Sequence, residues 1–283
     1  MAIFTNQATL TYNGNSVNSN TVTGNIVEIL AISKTAVVDN YSSGDSVTYV
    51  ISLTNSGTSP VTGVTVTDNL GAYTFDAQTL VPLDYVDGSV TYYQNGVLQA
   101  APTVASTDPL TFTGIIVPAG GNAMLIYEAT TNAFAPLTSQ STIVNEVTAT
   151  AAGITAPVTA TETITVTDEA LLSITKALNP VNVTENSTLT YTFTIINSGN
   201  TPAVIADNVV ITDTFNPILT DITVTLNGDV LPAASYTYDE TTGVFSTVDG
   251  VITVPAATFT QDPVTGAFIT APGITTVTVT GTV

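Results

Sequence analysis

The sequence has no cysteine, histidine or tryptophan, and only two of its 283 residues are basic. Each shortage excludes a class of chemistry. Without thiols and imidazoles there is no zinc finger, iron–sulfur centre, haem ligation or disulfide framework, so no metal and no cofactor is expected. Cysteine and histidine are also excluded as nucleophile or base. Two cations cannot neutralise a row of phosphates, so neither nucleic acid nor an anionic membrane is an expected partner. No apolar run approaches a membrane-spanning length. The start, Met1–Asn6, lacks the positive and apolar regions of a signal peptide, and the end, Thr278–Val283, carries no wall-anchoring motif. The expectation is a mature chain or an export route without a classical leader.

Acid dominates what charge there is. The chain carries 22 acidic residues and a net charge of −20, yet charged residues make up only 8% of it. The surface is therefore covered by threonine, serine, asparagine and small residues rather than by a carboxylate shell. Such a surface offers trypsin-like proteases almost no sites, which suits a protein outside the cytoplasm. Apolar residues form 44% of the chain, enough for a packed core. Length predicts about two domains of roughly 100–200 residues each.

The local pattern is β throughout. In Ser46–Leu53 the residues Val47, Tyr49, Ile51 and Leu53 share one face, the period of a half-buried strand rich in branched and aromatic side chains. Asn13-Gly14, Asn95-Gly96, Asn227-Gly228 and Asn55-Ser56-Gly57 punctuate such runs as turns. No window carries a helical stripe. Many short strands with turns between them predict an all-β protein of tandem immunoglobulin-like sandwiches.

The chain repeats itself. Lys34–Pro60 and Lys176–Pro202 align without a gap: Lys34 and Lys176, Tyr49 and Tyr191, Asn55 and Asn197, and Pro60 and Pro202 are each 142 residues apart. After a three-residue insertion, Val64–Asp68 returns as Val209–Asp213. The pattern K-T…G-D-S-V-T-Y-V-I-S-L-T-N-S-G…V-T-V-T-D-N-L resembles the bacterial domain-of-unknown-function-11 repeat, an immunoglobulin-like module of surface and stalk proteins. Chains of this kind are similar to clostridial spore-appendage subunits. The resemblance implies a bacterial protein located extracellularly or on the spore surface.

A second repeat is out of phase with the first. Asn6–Gly14 resembles Asn145–Gly153 at an offset of 139. Residues 145–167 thus close module one, while residues 3–29 form a similar hairpin with no module before them. Module two has the converse defect: Thr275–Val283 matches a module-one strand ending at Ala129, and no closing hairpin follows. The expected organisation is a donor hairpin over 1–29, module one over 30–168, and module two over 169–283 lacking its closing strands. An open module exposes apolar surface and an unpaired edge. A ten-residue strand from a neighbour covers about 30 Å of such an edge. Head-to-tail donation of residues 3–29 would build a homopolymer; the alternative is a shorter sandwich with a loose arm.

Lys34 and Lys176, the only basic residues, occupy the same place in both modules. Strand parity places Leu30, Ile32 and Lys34 on one face, and likewise Leu172, Ile174 and Lys176. It also aligns Val64, Val66 and Asp68; Val209, Ile211 and Asp213; Ile143, Asn145 and Val147; and Phe4, Asn6, Ala8 and Leu10. Lysine, aspartate and asparagine therefore face the core, and buried charges must be paired. One reading is a Lys–Asp ion pair bonded to asparagine. The other is a spontaneous isopeptide bond of the kind seen in immunoglobulin-like domains of bacterial surface proteins. There, Lys34 would join Asn145 with Asp68 as the acid, and Lys176 would join Asn6 of a neighbour with Asp213 as the acid. Glu128, read as inward beside Ile126, is a second acid for module one.

Asp39–Asp45 lacks the ligand pattern of a calcium loop. Apart from this self-directed cross-link, no enzyme is expected. The function expected is a filament subunit; the alternative is a stalk or adhesin module with an unknown target, for which Tyr92-Tyr93 and the loops of residues 70–110 are the candidates.

Overall fold

The computed structural model describes residues 2–283; Met1, the first residue of the expected donor hairpin, lies outside them. No α-helix occurs among the described residues, and the chain is a succession of β-strands with two short 3-10 turns. It divides into two compact units, one of residues 1–135 with 143–164 and the other of residues 136–142 with 165–283.

Unit one is an immunoglobulin-like sandwich. One sheet runs in the order Val97–Gln99, Thr91–Gln94, Asn122–Thr131, Ser46–Asn55, Leu30–Ala36. The facing sheet runs Thr103–Thr107, Leu110–Val117, Val61–Asp68, Thr142–Thr150, Val158–Val166, Asn40–Tyr41. Period-two alternation drives both: Val47, Tyr49, Ile51 and Leu53 are wholly buried, as are Val64 and Val66 opposite them. The Asn95-Gly96 and Asn227-Gly228 hairpins take the left-handed conformation at both positions, as two-residue loops require.

In unit two the sheet that carries the lysine strand has the order Leu172–Asn179, Thr188–Asn197, Gly273–Thr282, Thr220–Leu226, Asp229–Val230. The facing sheet is short: Thr212–Thr214, Val244–Thr247, Tyr236–Asp239. Its core gathers Tyr191, Phe193, Ile195, Phe215, Phe245 and Val277.

Residues 2–26 form a long hairpin whose strands, among the described residues, pair only with each other. Ala2–Asn6 lies against Val22–Ile26, and Thr9–Tyr12 against Asn15–Asn18. Asn13 and Gly14 make the left-handed turn at its tip, with φ of 44° and 78°. The ring of Phe4 lies over Gly24, where a Cβ would fall 2.3 Å from it.

Asn55, read from sequence as a turn residue, is 1% exposed. Its Nδ2 donates to the carbonyls of Ser59, Val117 and Pro118, and its Oδ1 accepts from Gly57 N. Asn197 repeats this role, bonding Thr201 O, Pro255 O and Gly199 N. A buried carboxamide that satisfies several backbone groups is expensive to remove. Asn55→Ala is expected to lower stability by about 2–3 kcal/mol in urea denaturation, whereas the exposed Thr58→Ala should change it by less than about 0.5 kcal/mol.

Candidate functional site

The site of sandwich one is assembled from four strands, two from each sheet. Lys34 comes from Leu30–Ala36 and Tyr127 from Asn122–Thr131; Asp68 comes from Val61–Asp68 and Asn145 from Thr142–Thr150. Alternation turns all four inward. Lys34 is 4% exposed, and Asp68 and Asn145 are wholly buried. Lys34 Nζ donates to Asp68 Oδ2 at 2.5 Å. The Tyr127 hydroxyl donates to the same oxygen at 2.6 Å. Asp68 Oδ1 accepts from Leu70 N, so both carboxylate oxygens are hydrogen-bonded. Asn145 Nδ2 makes a long contact, 3.4 Å, with the Tyr127 hydroxyl. The ammonium also lies 4.7 Å from the centroid of the Tyr49 ring.

Two buried polar atoms here have no hydrogen-bond partner, Asn145 Oδ1 and the hydroxyl oxygen of Tyr49.

Burial pushes the Lys34 amine down to about 8, against the opposing pull of Asp68 and, more weakly, Glu162. Burial pushes Tyr127 well above its ordinary value, and the neighbouring Asp68 charge adds to it. Tyr49 moves the same way, chiefly through burial. A neutral amine is thus within reach near neutral pH, beside a carboxylate that can accept its proton.

Sandwich two holds the same pair in the open. Lys176 Nζ donates to Asp213 Oδ2, but the side chains are 39% and 19% exposed, against 0% for both members of the Lys34–Asp68 pair. Leu172, Ile174 and Leu178, on the face that Lys176 shares, are exposed. The reason is topological. Val61–Asp68 has Leu110–Val117 on one side and Thr142–Thr150 on the other. Its counterpart Thr212–Thr214 pairs with Val244–Thr247 and is otherwise the edge of its sheet. Asn6, the residue expected to serve this site, is exposed on the hairpin.

The sites differ in a second way. Tyr49 lies opposite Tyr127 in its sheet, whereas Tyr191 lies opposite Val279. The ring stacked on Tyr191 is Phe215, with centroids 4.9 Å apart, and it has no hydroxyl. Sequence comparison of the modules missed Tyr127 for this reason. Glu162, half-buried on Val158–Val166, was also missed; the hairpin strand Val22–Ile26 has no acid to match it.

Two expectations are corrected. Glu128 and Ile126 point outward: Glu128 is exposed and lies opposite Thr48, while Tyr127 opposes the inward Tyr49. Residues directly opposite each other share a face, so Tyr49 fixes the parity. Tyr92 offers no exposed aromatic patch: it is 4% exposed, and its hydroxyl bonds the backbone of Ile116.

No protein-family model and no curated protein matches the chain. Distant likenesses exist among solved structures. One is BcpA, the major pilin subunit of Bacillus cereus, at 12% identity and a TM-score of 0.37, covering 96% of this chain and 73% of that one. A second is the pilus backbone protein RrgB from Streptococcus pneumoniae, at 13% identity and a TM-score of 0.35, covering 86% and 55%. A third is the collagen-binding domain of a Staphylococcus aureus adhesin, at 15% identity and a TM-score of 0.29, covering 48% and 95%.

The lowered amine makes stability depend on pH. Between pH 8 and about 10.4 the unfolded chain holds the Lys34 proton more firmly than the folded one, so stability rises with pH. Above about pH 10 the tyrosines, pushed up by burial, act in the opposite sense. In Asn145→Ala, where Lys34 keeps its free amine, the urea midpoint of sandwich one should climb from pH 8 to about 9.5. The double variant Lys34→Met, Asp68→Leu should stay flat over that range.

Proposed function

We propose that this protein is the structural subunit of an extracellular bacterial filament. Each subunit seats its N-terminal hairpin on sandwich two of the next, and Lys176 of the acceptor is joined to Asn6 of the donor. One observation carries the reading: the open place in sandwich two and the unattached hairpin complement each other. The edge strand Thr212–Thr214 stands where its counterpart has a neighbour, and the Lys176–Asp213 pair beside it is exposed. The hairpin offers the apolar residues Phe4, Leu10 and Val22, exposed by 52%, 65% and 54%, with Asn6 among them. Val22 lies opposite Asn6, so it turns to the same side. Seating it covers apolar surface on both partners at about 25 cal/mol per Å² and pairs an open edge.

The same chemistry acts within sandwich one, where Lys34, Asp68 and Asn145 belong to a single chain. The internal bond locks each module, and the bond between subunits makes the filament covalent. The domain limits at 29 and 168 follow from this reading: the hairpin works in another subunit, and the strands up to 168 close the first module. Because the contact is heterologous, it repeats from subunit to subunit, and growth is open-ended when its rotation does not close a ring. A spore-surface location belongs to the same proposal. An adhesin role has less support, since Tyr92 serves the core.

Deleting residues 2–29 should leave sandwich one folded and abolish filaments in electron microscopy. A synthetic peptide of residues 2–29 should cap wild-type growth. Normal filaments from the truncated chain would sink donation.

The covalent claim has its own test. Wild-type filaments boiled in detergent should run as a ladder, which Lys176→Ala or Asn6→Ala should convert to monomer and Lys34→Ala should not. Complete dissociation of wild-type filaments into unmodified monomer removes the bond between subunits and leaves donation standing.

A further inference from the structure

We propose that the Tyr127 hydroxyl relays the proton that the departing nitrogen of Asn145 must gain, taking its replacement from Asp68. This inference rests on the cross-link reading of Lys34 and Asn145, and the residue that carries it is Tyr127.

The atoms stand in sequence. Lys34 Nζ and the Tyr127 hydroxyl meet at one oxygen, Asp68 Oδ2, at 2.5 and 2.6 Å. The other side of the Tyr127 hydroxyl contacts Asn145 Nδ2. A path for one proton therefore runs from Nζ to Oδ2, to the tyrosine hydroxyl, to Nδ2. The path is needed because the nucleophile must lose a proton and the leaving group must gain one. Direct transfer from Asp68 finds no support in the geometry, since the carboxylate bonds Lys34, Tyr127 and Leu70 N but not Asn145.

The step balances. Lys34 passes a proton to Asp68, and its neutral nitrogen bonds to Asn145 Cγ. The tetrahedral species holds charge on Oδ1. Tyr127 delivers a proton to Nδ2 and regains one from Asp68, which returns to carboxylate. The added nitrogen gives its second proton to the freed Asp68 Oδ2, the charge on Oδ1 re-forms the carbonyl, and the Cγ–Nδ2 bond breaks. One amide forms and one ammonia leaves, taking that second proton from Asp68 as ammonium. No oxidant or reductant takes part.

The test uses the full chain in a Lys176→Ala background, so that each molecule can lose at most one ammonia. Intact mass is followed with time after cell-free synthesis, and Lys34→Ala supplies the zero. The background chain should lose one ammonia. Adding Tyr127→Phe should slow the loss about 10²-fold or more. Unfolding midpoints are measured in the unreactive Lys34→Ala, Lys176→Ala chain. There Tyr127→Phe should stay folded at the temperature of the reaction, so that the slower loss reports the chemistry and not the fold. Tyr127→Phe reacting at the background rate overturns the relay while the cross-link stands. A background chain that keeps its full mass overturns the cross-link reading and this inference together.

Discussion

The Lys34–Asp68 pair joins the two sheets of sandwich one at a point that water does not reach. An ammonium in such a place is tolerated only with its counter-charge held in contact and its remaining neighbours arranged. Much of the local architecture serves that requirement. Asp68 accepts from three donors. Two aromatic rings flank the amine. Thr142–Thr150 pairs along Val61–Asp68 and so excludes solvent from the carboxylate. Where that last strand has no counterpart, in sandwich two, the pair forms but is exposed. The comparison between the sandwiches isolates what a closing strand does: it supplies hydrogen bonds to an edge, and it lowers the polarity around a reactive group.

Much of this was legible in the sequence because strands of period two report their own facing. Lys34, Asp68 and Asn145 could be placed inward from their neighbours Ile32, Val66 and Val147 alone. The repeat supplied the correspondence between modules, and Asn-Gly pairs supplied the turns. Parity failed on Asn122–Thr131, where Ala123, Met124, Leu125, Ile126 and Tyr127 form an unbroken apolar run with no alternation to read. Only the cross-strand partner Tyr49 assigns that strand its faces. Tyr127 was invisible to the repeat as well, because Val279 stands in its place. Asn55 was read by propensity as a turn residue, whereas its work is to gather carbonyls from a distant strand end.

The two sites therefore share a lysine, an aspartate and one tyrosine, and differ in access and in the second hydroxyl. In sandwich one, everything is supplied by the chain itself and is in place once the domain has folded. In sandwich two, Phe215 offers a ring without a proton to move. Under the proposed cross-links, the internal bond would depend on folding alone, and the bond between subunits on encounter and on an acid that acts without a relay.

Lys34 and Asn145 also stand at particular places along the chain. Lys34 lies in the first strand after the hairpin, and Asn145 in the penultimate strand before the passage to sandwich two. A pull on the hairpin enters the module at the lysine strand and leaves it just beyond the asparagine strand. Under the proposed bond between those two side chains, tension would cross the module through a single amide, and the residues between 34 and 145 would lie off the load path. Their hydrogen bonds would then need only hold the fold, never the force.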